Sequence, residues 1–375
     1  MEHPKQNRKK IERDFNNMKI GILTYHRSHN YGALLQAIAL RKVLEDIGNK
    51  VSFVDYWPAY HKHMYALFSF SWMMSRKGIN GKVSYLSSSI SNFIYRKKRK
   101  NNFDRFIAEY IEPFLSSSDE TYDVLVHGSD QIWRKQPEIQ TYNPIYFGMH
   151  QIWAKKKISY AASMGILPER DSDKQVIKRF LPNLDVISVR ERDLLDLVNS
   201  LGYSDVHQDL DPTLLLTSED WVNMFNLKKW ESEEKYALYY KIKDSFDVCR
   251  LQQFASAKGL KLKILHSKAI CQDNGYEITT ASPIQFLDLI YNADFVFTSS
   301  FHGLAFALLF HKPFLASFTN NAGRAASLLE SLNLLDYLVR PKTEINMEIE
   351  EINYHNVDKK LYEMRESSKN WLYRI

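Results

Sequence analysis

The 375-residue sequence has few cysteines and no hydrophobic stretch of membrane-spanning length. Its two cysteines, Cys249 and Cys271, are too few and too far apart for a disulfide framework or a thiolate metal site. Residues 64–74 form the longest apolar and aromatic stretch, about half the length of a transmembrane helix. Residues 1–17 are polar and basic, without the apolar segment of a signal peptide. We therefore expect a solvated tail over residues 1–17 and a cytoplasmic protein, soluble or peripheral at the inner face of the membrane.

The sequence also lacks a strong excess of charge of either sign. Fifty basic residues against 44 acidic ones give a net charge of +6, which permits an anionic substrate or a membrane surface without requiring nucleic acid. Zinc-finger spacings, RNA-binding aromatic motifs and sustained basic helices are missing. The dinucleotide-binding pattern G-x-G-x-x-G is missing as well. We expect neither a nucleic-acid partner nor a dinucleotide cofactor.

Residues 294–314 combine a short apolar strand, a polar turn over residues 298–300 and an apolar helix predicted from Leu304. Such a turn lies where parallel strands end and where helix amides are free, a position that favours anions. Gly303 allows close approach to the backbone, and His302 is the nearby group that exchanges a proton near neutral pH. The pattern predicts a functional site around His302. A histidine that only caps the helix or packs in the core is the alternative.

The start of the chain predicts a second polar loop at a sheet edge. A strand over residues 18–24 is followed by the loop 25–32 and a helix over residues 33–47. In this loop His26, Arg27, His29 and Asn30 carry groups that bind phosphates or sugars. Alternatively, Asn30 serves only the turn.

Three further strands of the N-terminal half end in polar or small residues, at 127–133, 162–165 and 189–193. Because carboxyl ends of parallel strands share one edge, we expect these turns to lie close together. Arg190 can hold a carboxylate or phosphate through two parallel hydrogen bonds, unless it is paired with a neighbouring carboxylate, that of Glu191 or Asp193. Arg324 begins a predicted helix, where an anion is already favoured.

Residues 61–114 interrupt this alternation with aromatic, methionine and basic residues. Phe68, Phe70 and Trp72 lie in its first part, and five consecutive basic residues occupy 96–100. Aromatic residues beside a basic cluster are typical of an amphipathic segment on anionic lipid. The sequence predicts a helical insertion with a peripheral membrane contact. A helical excursion packed on its own domain, with a solvated charged end, is the alternative.

The hydrophobic pattern divides the chain near Pro212. Forty-five per cent hydrophobic residues suffice for two cores, and strands alternate with helices over residues 18–215 and again over 216–375. The last helix is predicted over residues 356–373. Polar turns at the carboxyl edges of both halves indicate a cleft between them. The predicted fold class is α/β, with two Rossmann-like domains facing across a cleft in a GT-B-like layout and the helical insertion in the first domain.

Six short motifs follow one another at the predicted strand ends. They are Asn30-Tyr31-Gly32-Ala33, His127-Gly128-Ser129-Asp130-Gln131-Ile132-Trp133, Ser159-Tyr160-Ala161-Ala162-Ser163, Ser188-Val189-Arg190-Glu191, Asp211-Pro212-Thr213 and Thr298-Ser299-Ser300-Phe301-His302-Gly303. Each is weak alone, but in this order they resemble the polysaccharide pyruvyl transferase family. Members often carry an arginine just before the His-Gly pair, where this chain has none. That departure shifts the expected anion contacts to Arg190 and Arg324.

The resemblance implies transfer of pyruvate from phosphoenolpyruvate, as co-substrate, onto a hydroxyl pair of a sugar, forming a ketal. The sugar would belong to a capsular or other surface polysaccharide, or to its lipid-linked precursor. His302 would be the general acid, and Asp130 or His127 the base for the sugar hydroxyl. Candidate donor contacts are Arg190, Arg324, Ser299, Ser300 and Gly303. Candidate acceptor contacts, all in the first domain, are His29, Asn30, Tyr31, Gln131 and Trp133. No cofactor and no metal are expected.

Two other functions stay open from the sequence. A nucleotide-sugar-dependent GT-B glycosyltransferase would use the same architecture, with the nucleotide in the second domain. A non-catalytic scaffold of a polysaccharide assembly complex would keep the cleft but tolerate loss of His302 and Arg190. Stabilisation by phosphoenolpyruvate rather than by a nucleotide diphosphate would distinguish the first two functions.

Overall fold

The computed structural model describes residues 17–74, 76–117, 120–231, 234–270, 273–320 and 322–374. The predicted tail, apart from Asn17, lies outside the described residues, as do Cys271 and the side chain of Trp72. The described chain contains two parallel β-sheets, one from each half of the sequence, with helices packed on their faces.

The first sheet has six parallel strands in the order β2-β1-β3-β4-β5-β6. In chain order its elements are β1 (Lys19–Leu23), α1 (Tyr31–Asp46), β2 (Lys50–Phe53), α2 (Ala59–Tyr65), α3 (Phe70–Met74), α4 (Gly78–Ser91), α5 (Phe93–Tyr110), β3 (Tyr122–Asp130), β4 (Ala154–Ala162), α6 (Asp171–Phe180), β5 (Ile187–Val189), α7 (Arg192–Ser200) and β6 (Val206–Gln208). Helices α2 to α5 form the insertion. The predicted helical insertion in the first domain is therefore confirmed.

The second sheet has five parallel strands in the order β11-β10-β7-β8-β9. The first half ends with α8 (Pro212–Leu215), and the second half contains α9 (Ser218–Phe225), β7 (Tyr236–Lys241), α10 (Val248–Ala257), β8 (Lys261–His266), β9 (Glu277–Ile278), α11 (Pro283–Asn292), β10 (Phe295–Thr298), α12 (Phe301–Leu309), β11 (Phe314–Ala316), α13 (Gly323–Leu332) and α14 (Tyr354–Leu372). The predicted α/β class with two Rossmann-like domains in a GT-B-like layout is confirmed.

One apolar core joins the two domains behind the cleft. It includes Leu34 and Ile38 of α1 together with Leu304 and Phe306 of α12, all buried. Because these helices follow the first strand and β10, their packing brings the carboxyl edges of both sheets together. Tyr31 adds a polar contact across the boundary, since its hydroxyl donates to the carbonyl of Ala281 over 2.9 Å.

Helix α14 leaves the second domain and packs against the first. The hydroxyl of Ser368 accepts a hydrogen bond from the amide of Leu210 at 3.0 Å, and Arg365 Nε donates to the carbonyl of Leu214 at 2.9 Å. Trp371 stacks on His207 with ring centroids 5.6 Å apart. Helix α14 therefore belongs to the second domain in sequence and contacts the first domain along its C-terminal half. Throughout the described ranges, each helix is too short or too polar to cross a membrane.

Three boundaries differ from the sequence predictions, each at the cleft. Strand β3 continues to Asp130, because Gly128 and Asp130 pair in register with β4, although glycine, serine and aspartate are typical of turns. The predicted division near Pro212 falls on a helix, because Pro212 begins α8: proline fits a first helical position and Asp211 caps it. Helix α12 begins at Phe301, which places His302 within its first turn.

Candidate functional site

His302 lies at the contact between the two domains. Ser300 caps α12, its Oγ accepting from the amide of Gly303 at 3.4 Å, and this fixes the first turn that carries the histidine. The imidazole rests on Gly32 of α1, where an added Cβ would lie 1.9 Å from Nδ1. Because Nδ1 faces the Gly32 backbone, Nε2 is the ring nitrogen that faces Asp211.

Asp211 holds a buried charge between His302 and Arg190. Its Oδ2 lies 2.6 Å from Nη2 of Arg190 and 3.4 Å from Nε2 of His302. Its Oδ1 accepts from the amide and hydroxyl of Thr213, at 2.8 and 2.6 Å. Burial alone would raise the pKa of Asp211, but Arg190 and His302 outweigh it and hold that pKa below its usual range. Asp211 therefore stays ionised and orients both Arg190 and His302.

Arg190 and Arg324 approach the ring of Phe301 from the two domains. Their guanidinium carbons lie 5.1 and 5.4 Å from the ring centroid, within cation–π range. Nη2 of Arg190 also donates to Ser129. Buried N–H groups of both arginines, Nε and Nη1 of Arg190 and Nε of Arg324, have no hydrogen-bond partner among the described residues. Unsatisfied buried cationic donors are costly, so this cluster is suited to an anion.

Carboxylates of the first domain lie on the other side of Arg324. Its Nη1 is 3.6 Å from Oδ1 of Asp130, and its Nε is 3.9 Å from Oε1 of Glu191. Glu191 accepts from Ser163, and burial raises its pKa, although the two arginines oppose that shift. Asp130 adopts a left-handed φ of 69°, a costly conformation for a non-glycine residue that is typical of functional sites. The side chain of Asp130 is thereby aimed across the cleft.

A cavity of about 190 Å³ opens beside the arginines. Arg190, Asp211, Phe301 and Arg324 line it, with Gln208 and several serine hydroxyls. It is smaller than the roughly 300–1,000 Å³ of pockets for drug-sized ligands. A larger cavity, about 810 Å³, lies away from the cleft near β11 and α14, but its lining carries Glu344, Glu348, Glu350 and Glu363. Because both arginines line the smaller cavity, together with Asp209 and Asp211, it is the candidate site for an anionic donor.

Three predicted donor residues have structural contacts of their own. The hydroxyl of Ser299 accepts from the amides of Ile242 and Lys243, at 2.9 and 3.3 Å, and so secures the end of β7. Ser300 is occupied in capping α12. A Cβ on Gly303 would lie 2.3 Å from Oγ1 of Thr298, so glycine is required there for close packing. The donor contacts that remain open to a ligand are the two arginines.

Three predicted acceptor residues are enclosed by protein. Tyr31 is fully buried and stacks on Phe286, with ring centroids 4.7 Å apart. Trp133 is also fully buried, and its indole N–H donates to the carbonyl of Tyr146 at 2.9 Å. His29 pairs with Asp104 of α5 at 3.1 Å. Tyr31 and Trp133 therefore cannot contact a sugar in this conformation. They were predicted to contact the acceptor, but their aromatic rings fill the core.

The two other acceptor candidates lie nearer the cleft. Asn30 is exposed, and its Oδ1 caps α1 by accepting from the amide of Ala33 at 3.2 Å. Asn30 therefore serves the turn, the alternative to ligand binding that the sequence left open. The side-chain amide of Gln131 packs against Gly165, and its buried Nε2 has no partner in the described part of the chain. Gln131 retains a donor that a ligand could use.

His127 does not join the cleft. Because β3 extends past it, the residue lies within the sheet, where it is fully buried. Nδ1 is 3.0 Å from the carbonyl of Ile158, and Nε2 is 2.8 Å from Nε2 of His150. Burial lowers the pKa of His127 to about 3. With both ring nitrogens engaged, it has none to offer a sugar hydroxyl, which leaves Asp130 as the candidate base.

Buried histidines near the first loop predict acid sensitivity of folding. Burial lowers the pKa of His26 from 6.5 to about 4, so its stabilising contribution is complete above pH 6.5 and decreases as the pH falls toward 4. His26 stacks on Phe53 with ring centroids 5.5 Å apart. We expect His26→Phe to keep the stacking but lose this titration. The free energy of unfolding should then fall by about 3 kcal/mol less on acidification than it does in the wild type.

Thermal denaturation between pH 7.5 and 4.5 measures this difference. The curve of His26→Phe should be shallower than that of the wild type, whereas the same change at exposed His355 should leave the slope unaltered. Parallel curves for wild type and His26→Phe would show that His26 is not the titrating group.

Sequence reasoning missed three residues of the site. Asp211 and Gly32 were quoted only as parts of motifs, and Phe301 was noted only as a departure from an expected arginine. Their roles depend on contacts between domains. One signal was available for Asp211: a buried arginine at a strand end requires an acidic partner.

Two α/β domains that present arginines, carboxylates and a histidine across a cleft define a GT-B-like protein with a cluster of charged side chains at the cleft. The family model described as polysaccharide pyruvyl transferase matches residues 30–321. The chain belongs to the polysaccharide pyruvyl transferase family, an enzyme family whose members modify polysaccharides. No curated protein matches the chain.

Several solved structures resemble the chain at low identity. UDP-GlcNAc 2-epimerase from Methanocaldococcus jannaschii, in complex with UDP-GlcNAc and UDP, is 11% identical with a TM-score of 0.43, over 92% of each chain. E. coli heptosyltransferase WaaC with ADP is 12% identical with a TM-score of 0.40, over 92% of this chain and 100% of the other. Glycosyltransferase SsfS6 from Streptomyces sp. SF2575, with thymidine diphosphate, is 11% identical with a TM-score of 0.43, over 93% and 96%.

Proposed function

We propose that this protein transfers pyruvate from phosphoenolpyruvate onto two hydroxyls of one sugar in a surface polysaccharide or its lipid-linked precursor. The observation that carries the proposal is the group of buried N–H donors without a hydrogen-bond partner among the described residues, on Arg190 and Arg324. Phosphoenolpyruvate carries two anions, a carboxylate and a phosphate, which two guanidinium groups can bind. Membership of the pyruvyl transferase family supports this donor.

The proposed donor site lies between Arg190 and Arg324, beside the ring of Phe301. Both guanidinium groups already face that ring, whose apolar surface suits the enol carbons of the donor. The cavity of about 190 Å³ at this point suits a small anion better than a nucleotide sugar. This favours the pyruvyl transferase over the glycosyltransferase alternative.

The proposed chemistry requires one proton donor and one proton acceptor. His302 protonates the methylene carbon, which becomes a methyl group, and the first sugar oxygen bonds to the carbon that bears phosphate. The bond from that carbon to the phosphate oxygen then breaks, inorganic phosphate leaves, and the second sugar oxygen closes the ketal. Of the two hydroxyl protons, one replaces the proton given by His302 and the other leaves with phosphate. Asp211 orients His302, and the arginines stabilise the departing phosphate.

Asp130 is the proposed base for the sugar hydroxyl. It lies at the end of β3 in the first domain, 3.6 Å from Arg324, and its side chain is largely enclosed but reaches the cleft. Gln131 offers a neighbouring amide donor, and Asn30 an exposed amide, for the other sugar hydroxyls. The acceptor would thus approach from the first domain while the donor contacts both.

Phosphoenolpyruvate should raise the thermal stability of the wild-type protein. At about 100 times its dissociation constant, a ligand adds roughly 2.7 kcal/mol to the free energy of unfolding. In Arg324→Gln we expect that shift to disappear, because one of the two anion contacts is lost. Arg324 is the better choice than Arg190 for this test, because its own ion pairs are longer, at 3.6 and 3.9 Å.

Arg170→Gln is the matched control, since it removes the same charge at an exposed residue that directly precedes α6. It should keep the full shift. A shift with a nucleotide sugar but none with phosphoenolpyruvate would support the glycosyltransferase instead. No shift with either donor would contradict the donor site described here.

A further inference from the structure

The positive charge of the chain is concentrated in one segment. Nine lysines and arginines, and no aspartate or glutamate, lie between Tyr56 and Phe103. The whole chain has a net charge of only +6, so the remainder is slightly acidic. This segment contains α2 to α4 and the first half of α5. The insertion therefore carries a local excess of positive charge that overall composition conceals.

Helix α4 turns its apolar face away from the protein. Ile79, Val83, Leu86 and Ile90 recur at intervals of three or four residues, which places them on one side of a helix. Their exposed fractions are 74%, 58%, 43% and 69%, respectively. A surface helix normally buries this stripe, whereas Ser89 is the buried residue of α4. The arrangement leaves a continuous apolar ridge facing outward.

The start of α5 extends this ridge and adds cations. Phe93 is 45% and Ile94 73% exposed, and a shallow groove there is lined by both of them with Lys97, Lys98 and Arg105. Phe68 and Phe70, before α4, are also exposed. Apolar side chains with lysines at their border match the chemistry of a bilayer interface, where acyl chains lie beneath anionic headgroups. We call the exposed side chains of residues 77–98 the α4–α5 face.

We propose that the α4–α5 face docks on the surface of a bilayer that contains anionic phospholipid. The apolar ridge of α4 would enter the boundary between headgroups and acyl chains, and Lys77, Lys97 and Lys98 would contact phosphates. A second copy of the chain is a poor occupant, because two such positive surfaces repel each other. The inference concerns docking alone and holds whether or not the protein transfers pyruvate.

The α4–α5 face is connected to the rim of the cleft through α5. Arg99 donates to the hydroxyl of Tyr31 at 2.7 Å and to the carbonyl of Thr279, in the second domain, at 3.0 Å. One turn further, Asp104 pairs with His29 at 3.1 Å. Docking would thus fix the cleft relative to the membrane. If the proposed function holds, a lipid-linked acceptor would reach the first domain from that side.

Sedimentation with vesicles tests the inference on the full-length protein without any activity assay. Vesicles of phosphatidylcholine alone are compared with vesicles in which about a third of the lipid is phosphatidylglycerol, at low and high salt. We expect binding only to the anionic vesicles, weakened by salt. Lys77→Glu/Lys97→Glu should lower the partition coefficient by a factor of at least about 100, since each charge contributes about 1 kcal/mol near such a surface.

Two matched controls separate the face from general charge and hydrophobicity. Lys178→Glu/Lys258→Glu makes the same charge change at exposed sites elsewhere and should bind normally. Ile79→Ser/Val83→Ser/Ile90→Ser should lose vesicle binding, whereas Ile139→Ser/Ile166→Ser/Ile270→Ser, at exposed sites outside the face, should keep it. Unchanged binding of both α4–α5 variants would overturn the inference. So would a dimer in solution that becomes monomeric in the α4 triple variant and does not bind vesicles.

Discussion

His302→Asn should lower kcat for pyruvyl transfer by a factor of about 10² to 10⁴, the usual contribution of a positioned proton donor. Asparagine cannot deliver a proton to the methylene carbon, and protonation is the step that makes the neighbouring carbon electrophilic. The KM for phosphoenolpyruvate should change little, because Arg190 and Arg324 supply the anion contacts. Steady-state kinetics, with phosphate release as the readout, separates the two parameters.

His311→Asn is the matched control for this prediction. His311 follows the same helix, but it is half exposed and pairs with Asp358 rather than with the cleft. Its replacement should leave kcat unchanged. Thermal denaturation of both variants shows whether they fold. A folded His302→Asn protein with wild-type turnover would remove His302 from the mechanism.

Gly32→Ala should reduce turnover almost as strongly, although no reacting group is removed. The added methyl carbon would lie 1.9 to 2.4 Å from three atoms of the His302 ring, closer than side chains tolerate, so the imidazole must move away from Gly32. Overpacking of this kind costs about 1–3 kcal/mol, partly offset by the higher helix propensity of alanine. We therefore expect a large fall in kcat with a modest fall in thermal stability.

Gly81→Ala provides the comparison, because Gly81 also lies within a helix but its added Cβ would contact no atom closer than 3.4 Å. That variant should be as active as the wild type and slightly more stable. If Gly32→Ala keeps full activity, the contact of the His302 ring with Gly32 of α1 is not required for catalysis. A crystal structure of Gly32→Ala would show the ring displaced if the prediction is correct.

The fold was predictable because its signals are local. The alternation of apolar strands and helices, with a polar turn after each strand, depends on residues that are close in sequence. This pattern correctly predicted two α/β domains with an insertion. The boundaries near the cleft were less predictable, since tertiary pairing decided them. At β3, pairing with β4 drew Gly128 and Asp130 into the strand despite their preference for turns, and His127 entered the sheet with them.

The cationic part of the site was also predictable, because Arg190, His302 and Arg324 each lie at a strand end or a helix start. What they contact was not. Asp211 reaches both Arg190 and His302 only when the linker between domains folds back, and Gly32 matters only because α12 packs on α1. The prediction that Tyr31 and Trp133 of the same motifs contact the acceptor was wrong, because both fill cores. The sequence does not distinguish that role from stacking on a sugar.

The most direct test of the central claim follows two labels from phosphoenolpyruvate into the polysaccharide and lipid-linked saccharide fractions of the organism that encodes the protein. One label marks the pyruvyl carbons and the other the phosphate. With wild-type protein, we predict that the carbon label enters the saccharide and that the phosphate label is released as inorganic phosphate. With His302→Asn, we predict neither incorporation of the carbon label nor release of the phosphate label. Transfer of sugar from a nucleotide sugar, without carbon label in the saccharide, would contradict the account.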